Sequence, residues 1–140
     1  MSDLTDEEII ATRKLNGVDD DLYRKIDVGE YIRTNKGNIG KIIEIRLGFN
    51  KDTQLYQDIY KLDNGLWTVL DYIVNHSKII SEVVEAGDYV NGKLIHKIDK
   101  GPNYCYLYYG KGKTFVDYQI KTILTKEQYM ANCYKVRGKD

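Results

Sequence analysis

Along the middle of the chain, apolar and polar side chains alternate in short runs broken by glycine-containing turns, the two-residue rhythm of half-buried strands. Asn38-Ile39-Gly40-Lys41-Ile42-Ile43-Glu44-Ile45 keeps that rhythm at its start and end, and its double isoleucine predicts a bulge. From Tyr104 to Tyr109 the alternation sets Tyr104, Tyr106 and Tyr108 on one face and Cys105, Leu107 and Tyr109 on the other. Gly48 to Gln57 has no continuous rhythm and reads as an extended loop. Both ends read as helix. Thr5-Asp6-Glu7-Glu8 offers a reciprocal cap for a helix reaching about Leu15, where Asn16-Gly17 supplies a left-handed stop. Thr125 with Gln128 opens a second helix over Lys126 to Asn132, before a frayed end at Arg137 to Asp140.

The strand-rich middle repeats itself. Val28-Gly29-Glu30-Tyr31-Ile32 returns as Ala86-Gly87-Asp88-Tyr89-Val90. Ile59 to Gly65 answers Leu107 to Gly112, each a strand entering a glycine turn, and Asp71-Tyr72-Ile73-Val74 with Ser77 to Ile80 answers Asp117 to Ile120 with Lys121 to Leu124. Landmarks kept in one order imply duplication of a unit made of an opening strand, a strand pair, a further strand, a tight turn carrying Asp-Tyr, and a closing strand. That is the order of an SH3-like small barrel, in which short strands curl and pair their edges. The expected fold is therefore mainly β, two tandem SH3-like barrels with short N- and C-terminal helices. Residues 1–21 form the first helix and an acidic linker, 22–82 and 83–124 the two modules, and 125–140 the second helix and tail. The short connection Glu82 to Glu85 predicts modules packed together.

Charge and composition narrow the function. Lysine plus arginine total 21, as do aspartate plus glutamate, so no net field draws the molecule to nucleic acid or an anionic membrane. No apolar run reaches the roughly 20 residues of a membrane-spanning helix, and the acidic start lacks a secretory h-region, so the expected compartment is the cytoplasm. Cys105 and Cys133 fit no zinc or disulfide spacing and read as buried thiols; no metal and no cofactor are expected. His76 and His96 have no partner legible in the sequence, and Asp19-Asp20-Asp21 lacks the rest of a calcium loop. Gly112-Lys113-Thr114 ends like a phosphate loop, but Leu107 stands where the first glycine is needed, so a hairpin turn explains it better. Without a nucleophile, base and stabiliser in recognisable spacing, an enzyme is not expected.

Gly29-Glu30-Tyr31-Ile32-Arg33-Thr34 with Gly37-Asn38-Ile39-Gly40-Lys41-Ile42 resembles the KOW motif of SH3-like domains in ribosomal and transcription-elongation proteins, over about a fifth of the chain. The wider pattern, including Val83 to Gly92, Leu124 to Gln128 and Tyr134-Lys135-Val136, resembles small uncharacterised proteins of phages and prophages of low-GC Gram-positive bacteria. That resemblance implies a mobile-element accessory protein that inhibits or redirects a host protein or a defence system, such as by anti-CRISPR-type occlusion. It carries no catalytic motif.

Tyrosine is abundant, at 13 residues, and joins large contact area to low entropic cost. Tyr104, Tyr106 and Tyr108 are thus the candidate partner-binding face, set against the alternative that they pack between modules. Trp67 is expected in the core of the first module or at the module boundary, and as an anchor if exposed. A second reading places nucleic acid on Arg33, Lys36, Lys41 and Arg46, although Glu30, Glu44, Asp52 and Asp58 interleave with them and dilute the electrostatic drive. A third, resting on aromatic richness and the Gly110 to Thr114 turn, is a sponge for a signalling nucleotide.

Overall fold

A computed structural model describes residues 26–136; the predicted N-terminal helix, the acidic connection and the tail from Arg137 lie outside the described residues. The protein is mainly β, with several small antiparallel sheets and a single α-helix among the described residues. The first half contains β1 (Tyr31–Thr34), β2 (Ile39–Asn50), β3 (Leu55–Leu62), β4 (Trp67–Val69), a 3-10 turn (Leu70–Tyr72) and β5 (Ile73–Ser77), in a five-stranded sheet of order β4-β3-β2-β1-β5. The second contains β6 (Tyr89–Val90), β7 (Lys93–Leu94), β8 (Lys97–Gly101), β9 (Tyr104–Gly110), β10 (Lys113–Phe115), a 3-10 turn (Asp117–Gln119) and β11 (Ile123–Leu124). Its strands form two sheets, β10-β9-β8 and β11-β6-β7. Helix α1 (Lys126–Asn132) follows, opened by the Thr125 side chain accepting from the Gln128 N–H as the sequence predicts.

The repeated triplets adopt one backbone arrangement. Gly29 and Gly87 have φ of +94° and +99°, a region only glycine enters without strain. The Gly29 N–H donates to the Ile42 carbonyl and the Gly87 N–H to that of Ile95; the amides of Ile42 and Ile95 in turn donate to the carbonyls of Glu30 and Asp88. Each triplet acid also accepts from the amide three residues before it, Asp27 for Glu30 and Glu85 for Asp88. In each half the last strand pairs antiparallel with the first, β5 with β1 and β11 with β6.

The equivalence differs in register from the sequence alignment at two places. Tyr60 and Leu107 are the buried counterparts, facing Ile45 and Ile98 across their hairpins, so Ile59 answers Tyr106. The 3-10 turns match Leu70 with Asp117, so Ile73 answers Ile120 and the Asp-Tyr signatures fall one residue out of step. The closing strand of the first half is Ile73–Ser77; Ile80, expected at the end of that strand, instead opens the 3-10 turn Ile80–Val83. Pattern matching followed the polar letters, whereas burial fixes the register.

Each half has its own core: Ile26, Ile32, Ile42, Tyr60, Leu62 and Ile73 in the first, and Val84, Val90, Ile95, Cys105 and Leu107 in the second. No sheet closes on itself among the described residues, so the expected edge-paired barrels are absent in that form. The bulge predicted by the double isoleucine lies between Ile42 and Glu44, turning Ile43 outward. Gly48 to Gln57, expected as a loop, is instead the far end of the β2–β3 hairpin, paired as Gly48 with Gln57, Phe49 with Tyr56 and Asn50 with Leu55. The Asn50 side chain accepts from the amides of Asp52 and Thr53 to shape its tip, and Phe49 meets Tyr56 edge to face. This end of the hairpin carries no fully buried residue, so one-sided alternation leaves no signature.

The halves are held together by charge. Arg33 of β1 is 1% exposed, and its guanidinium reaches Asp88, which is 0% exposed, with Nη2–Oδ1 at 2.9 Å. It also pairs with Glu127 of α1 and with Glu85, and donates to the Val83 carbonyl. Burial alone lowers the pKa of Arg33, but the hydrogen bond and charge of Asp88, with Glu127 and Glu85, outweigh it and raise the net value. Asp88 further accepts from the amides of Glu85 and Lys126, so one carboxylate ties its own turn, the helix start and the other half together. Next to this cluster, the Thr125 hydroxyl donates to the Gly37 carbonyl at 2.8 Å, seating the helix start on the β1–β2 turn.

Candidate functional site

The tyrosine alternation in β9 is realised. Cys105 and Leu107 point into the second core, while Tyr104 and Tyr106 are 44% and 38% exposed and stack with centroids 5.3 Å apart. Tyr108 does not complete the exposed row: it is half-buried, with the Lys97 ammonium 5.4 Å from its ring centroid and His96 tilted nearby. Leu107 must fill the core beneath the hairpin, and β9 supplies it only if the flanking tyrosines face outward.

Tyr104 and Tyr106 form one wall of a groove of about 670 Å³. The opposite side comes from the connection between halves, Ile79, Ser81 and Glu82, and from the 3-10 turn with Asp117 and Tyr118. Pro102 and Asn103 also line it. Tyr118 is 82% exposed and Ile79 is also exposed, so the rim carries apolar area that the described chain leaves uncovered. The groove is acidic: Glu82 and Asp117 line it, and no lysine or arginine does. Glu82 accepts from the Ser77 hydroxyl and lies 3.5 Å from Lys100, whereas Asp117 uses Oδ1 to accept from the Ser81 amide. The Ser81 hydroxyl, fully buried, has no hydrogen-bond partner among the described residues. Cys105 at the same place is a protected thiol, raised in pKa chiefly by burial, and it donates weakly to the Ser81 carbonyl.

Trp67 corrects its expectation. It is 42% exposed on β4, because its neighbour Thr68 takes the inward position opposite Tyr60. Arg46 and Lys61 lie over its ring at 5.4 and 5.5 Å, a surface cation–aromatic cluster away from either core. A smaller pocket beside it, of about 250 Å³, joins Trp67 and Tyr72 to Lys36 and Asn35. The four cations of the nucleic-acid reading do not form one surface of free charge. Arg33 is buried on carboxylates and cannot reach a phosphate, which overturns its place in that set. Arg46 pairs with Glu44, Lys41 lies 5.8 Å over the Tyr31 ring, and Lys36 is exposed at the β1–β2 turn.

Sequence reasoning left both histidines without partners. His76 Nδ1 is in fact 2.9 Å from Glu30 Oε1, with both side chains nearly buried. Register explains it: His76 stands opposite Ile32 across β5 and β1, which brings it alongside the first triplet's acid. The spacing of the two residues in the chain contains no sign of this. The Gly110 to Thr114 segment is the turn between β9 and β10, with Gly112 at φ +69°, and not the start of a helix. No described helix is long and apolar enough to cross a membrane.

Comparison with protein-family models, curated proteins and solved structures finds no match for this chain.

Proposed function

We propose that this protein is a non-enzymatic binding module, built from two SH3-like halves, that docks a partner protein in the groove between Tyr104–Tyr106 and Tyr118. The observation that carries this reading is the groove itself: exposed, stacked tyrosines and an exposed isoleucine around a buried floor, on a rigid hairpin anchored by Leu107. The matched triplets, the paired first and last strands and the 3-10 turn before each closing strand support a tandem SH3-like ancestry. The resemblance to phage and prophage proteins makes a host or defence-system protein the class of target, bound by occlusion.

The test is a capture experiment with the full chain beside its Tyr104→Ala/Tyr106→Ala variant on host lysate, with nuclease-treated and untreated arms. The expected result is a specific protein retained by the parent, lost with the variant, and indifferent to nuclease. Retention of nucleic acid alone, falling steeply with salt, overturns the reading in favour of the Trp67, Arg46 and Lys61 surface, where two cations lie over one exposed ring.

A further inference from the structure

The groove's chemistry selects among protein partners. Resting on the binding reading above, we infer that it receives an extended peptide segment carrying an arginine, whose guanidinium stacks on the tyrosine wall and bonds to Asp117. Three features point to this occupant. First, the charge of the lining is of one sign: Glu82 and Asp117 contribute carboxylates and no cation is among the lining residues. Glu82 is already engaged by Ser77 and Lys100, but Asp117 has only Oδ1 committed, to the Ser81 amide, leaving Oδ2 for an incoming donor. Second, the walls are tyrosine faces, Tyr104 and Tyr106 stacked together and Tyr118 almost wholly exposed, and a planar guanidinium stacks on such faces better than a compact ammonium. Third, a volume of about 670 Å³ exceeds one side chain and suits a short stretch of backbone with its anchor.

The experiment uses the full chain, labelled with nitrogen-15, titrated with short capped peptides identical except for a central arginine, lysine, citrulline or glutamate. The expected result is amide shifts centred on Ser81, Glu82, Tyr104, Tyr106 and Asp117 with the arginine peptide, and binding about tenfold weaker or worse with citrulline, which keeps the shape without the charge. Asp117→Asn retains an acceptor for the Ser81 amide, so it should fold and lose about tenfold to hundredfold in arginine-peptide affinity. Equal binding of all four peptides in the groove overturns the arginine assignment while leaving the protein-binding reading standing. Absence of shifts in the groove with every peptide, together with shifts near Trp67 on adding a single-stranded oligonucleotide, overturns both.

Discussion

Arg33 is the side chain on which the union of the two halves most depends, and its replacement by methionine gives the sharpest test of that claim. In the native cluster two cations, Arg33 and Lys126, face three carboxylates, Asp88, Glu85 and Glu127. Glu85 and Glu127 are partly exposed and keep some hydration, but Asp88 is wholly buried. Arg33→Met preserves the length and the packing of the stem, yet leaves Asp88 facing two further carboxylates with only backbone amides and the more distant Lys126 to compensate. Removing one partner of a buried pair costs about 3–5 kcal/mol. At the entropy of unfolding ordinary for this chain length, the thermal midpoint should fall by about 10–17 °C. Asp88→Asn should cost less, because Arg33 retains Glu127 and Glu85 and the amide oxygen still accepts a backbone bond. The double variant should be no less stable than Arg33→Met alone, since it removes the stranded charge as well as its partner. Urea and thermal unfolding of the parent, both single variants and the double variant measure this. An Arg33→Met cost below about 1 kcal/mol, the range of an exposed ion pair, or costs that simply add in the double variant, would refute the reasoning.

Gly29→Ala and Gly87→Ala should each destabilise by about 1–2 kcal/mol in urea unfolding, because both backbones lie at positive φ, although the space for a methyl is open at Gly29 and bounded at Gly87 only by the flexible Lys126 side chain. Gly37→Ala should cost more than either, since its Cβ would also overlap the Thr125 hydroxyl and Glu127. Native Cys105 should resist alkylation at neutral pH and react on unfolding, as timed thiol labelling will show; burial holds its thiol above the ordinary 9.0. The folded state then keeps a proton that the unfolded chain releases, so stability should decline as pH rises past 9.0, and Cys105→Ala should remove that part of the slope. Trp67→Ala should change stability little, its ring being half in solvent, and should leave peptide binding in the tyrosine groove intact by the same titration.

Local features were legible in the sequence and long-range ones were not. The cap of α1, the bulge after Ile42, the outward Tyr104 and Tyr106 and the paired glycine-acid-tyrosine turns each depend on residues within a few positions of one another. Trp67 was misplaced because a three-residue strand such as β4 offers too few positions to fix which face is inward; Thr68 takes the buried one. The β2–β3 hairpin end has the sequence of a loop because it extends past the core, where alternation has no burial to enforce it. The groove itself joins the half-to-half connection, a hairpin and a 3-10 turn, and the empty bonding capacity of Ser81 becomes visible only when those pieces meet.

The two triplet acids show why the repeat became an asymmetric unit. Each acid first serves its own turn, accepting from the amide three residues earlier, and that shared duty explains why an acid stands at both positions. Their remaining bonding capacity is spent differently. Glu30 turns to His76 within its own half, a contact local to the β1–β5 pair. Asp88 turns outward to Arg33 and to the start of α1, so the second copy's acid joins the halves. Arg33 has the position that Asn91 holds in the second copy, two residues beyond the triplet tyrosine, where Asn91 instead bonds the amides of Lys121 and Thr122 across its own sheet. One copy therefore closes on itself and the other is reached into. This fixes Ser81 to Val84 between the halves, burying Ser81 and Val83, and so sets one side of the groove against the tyrosines of the other.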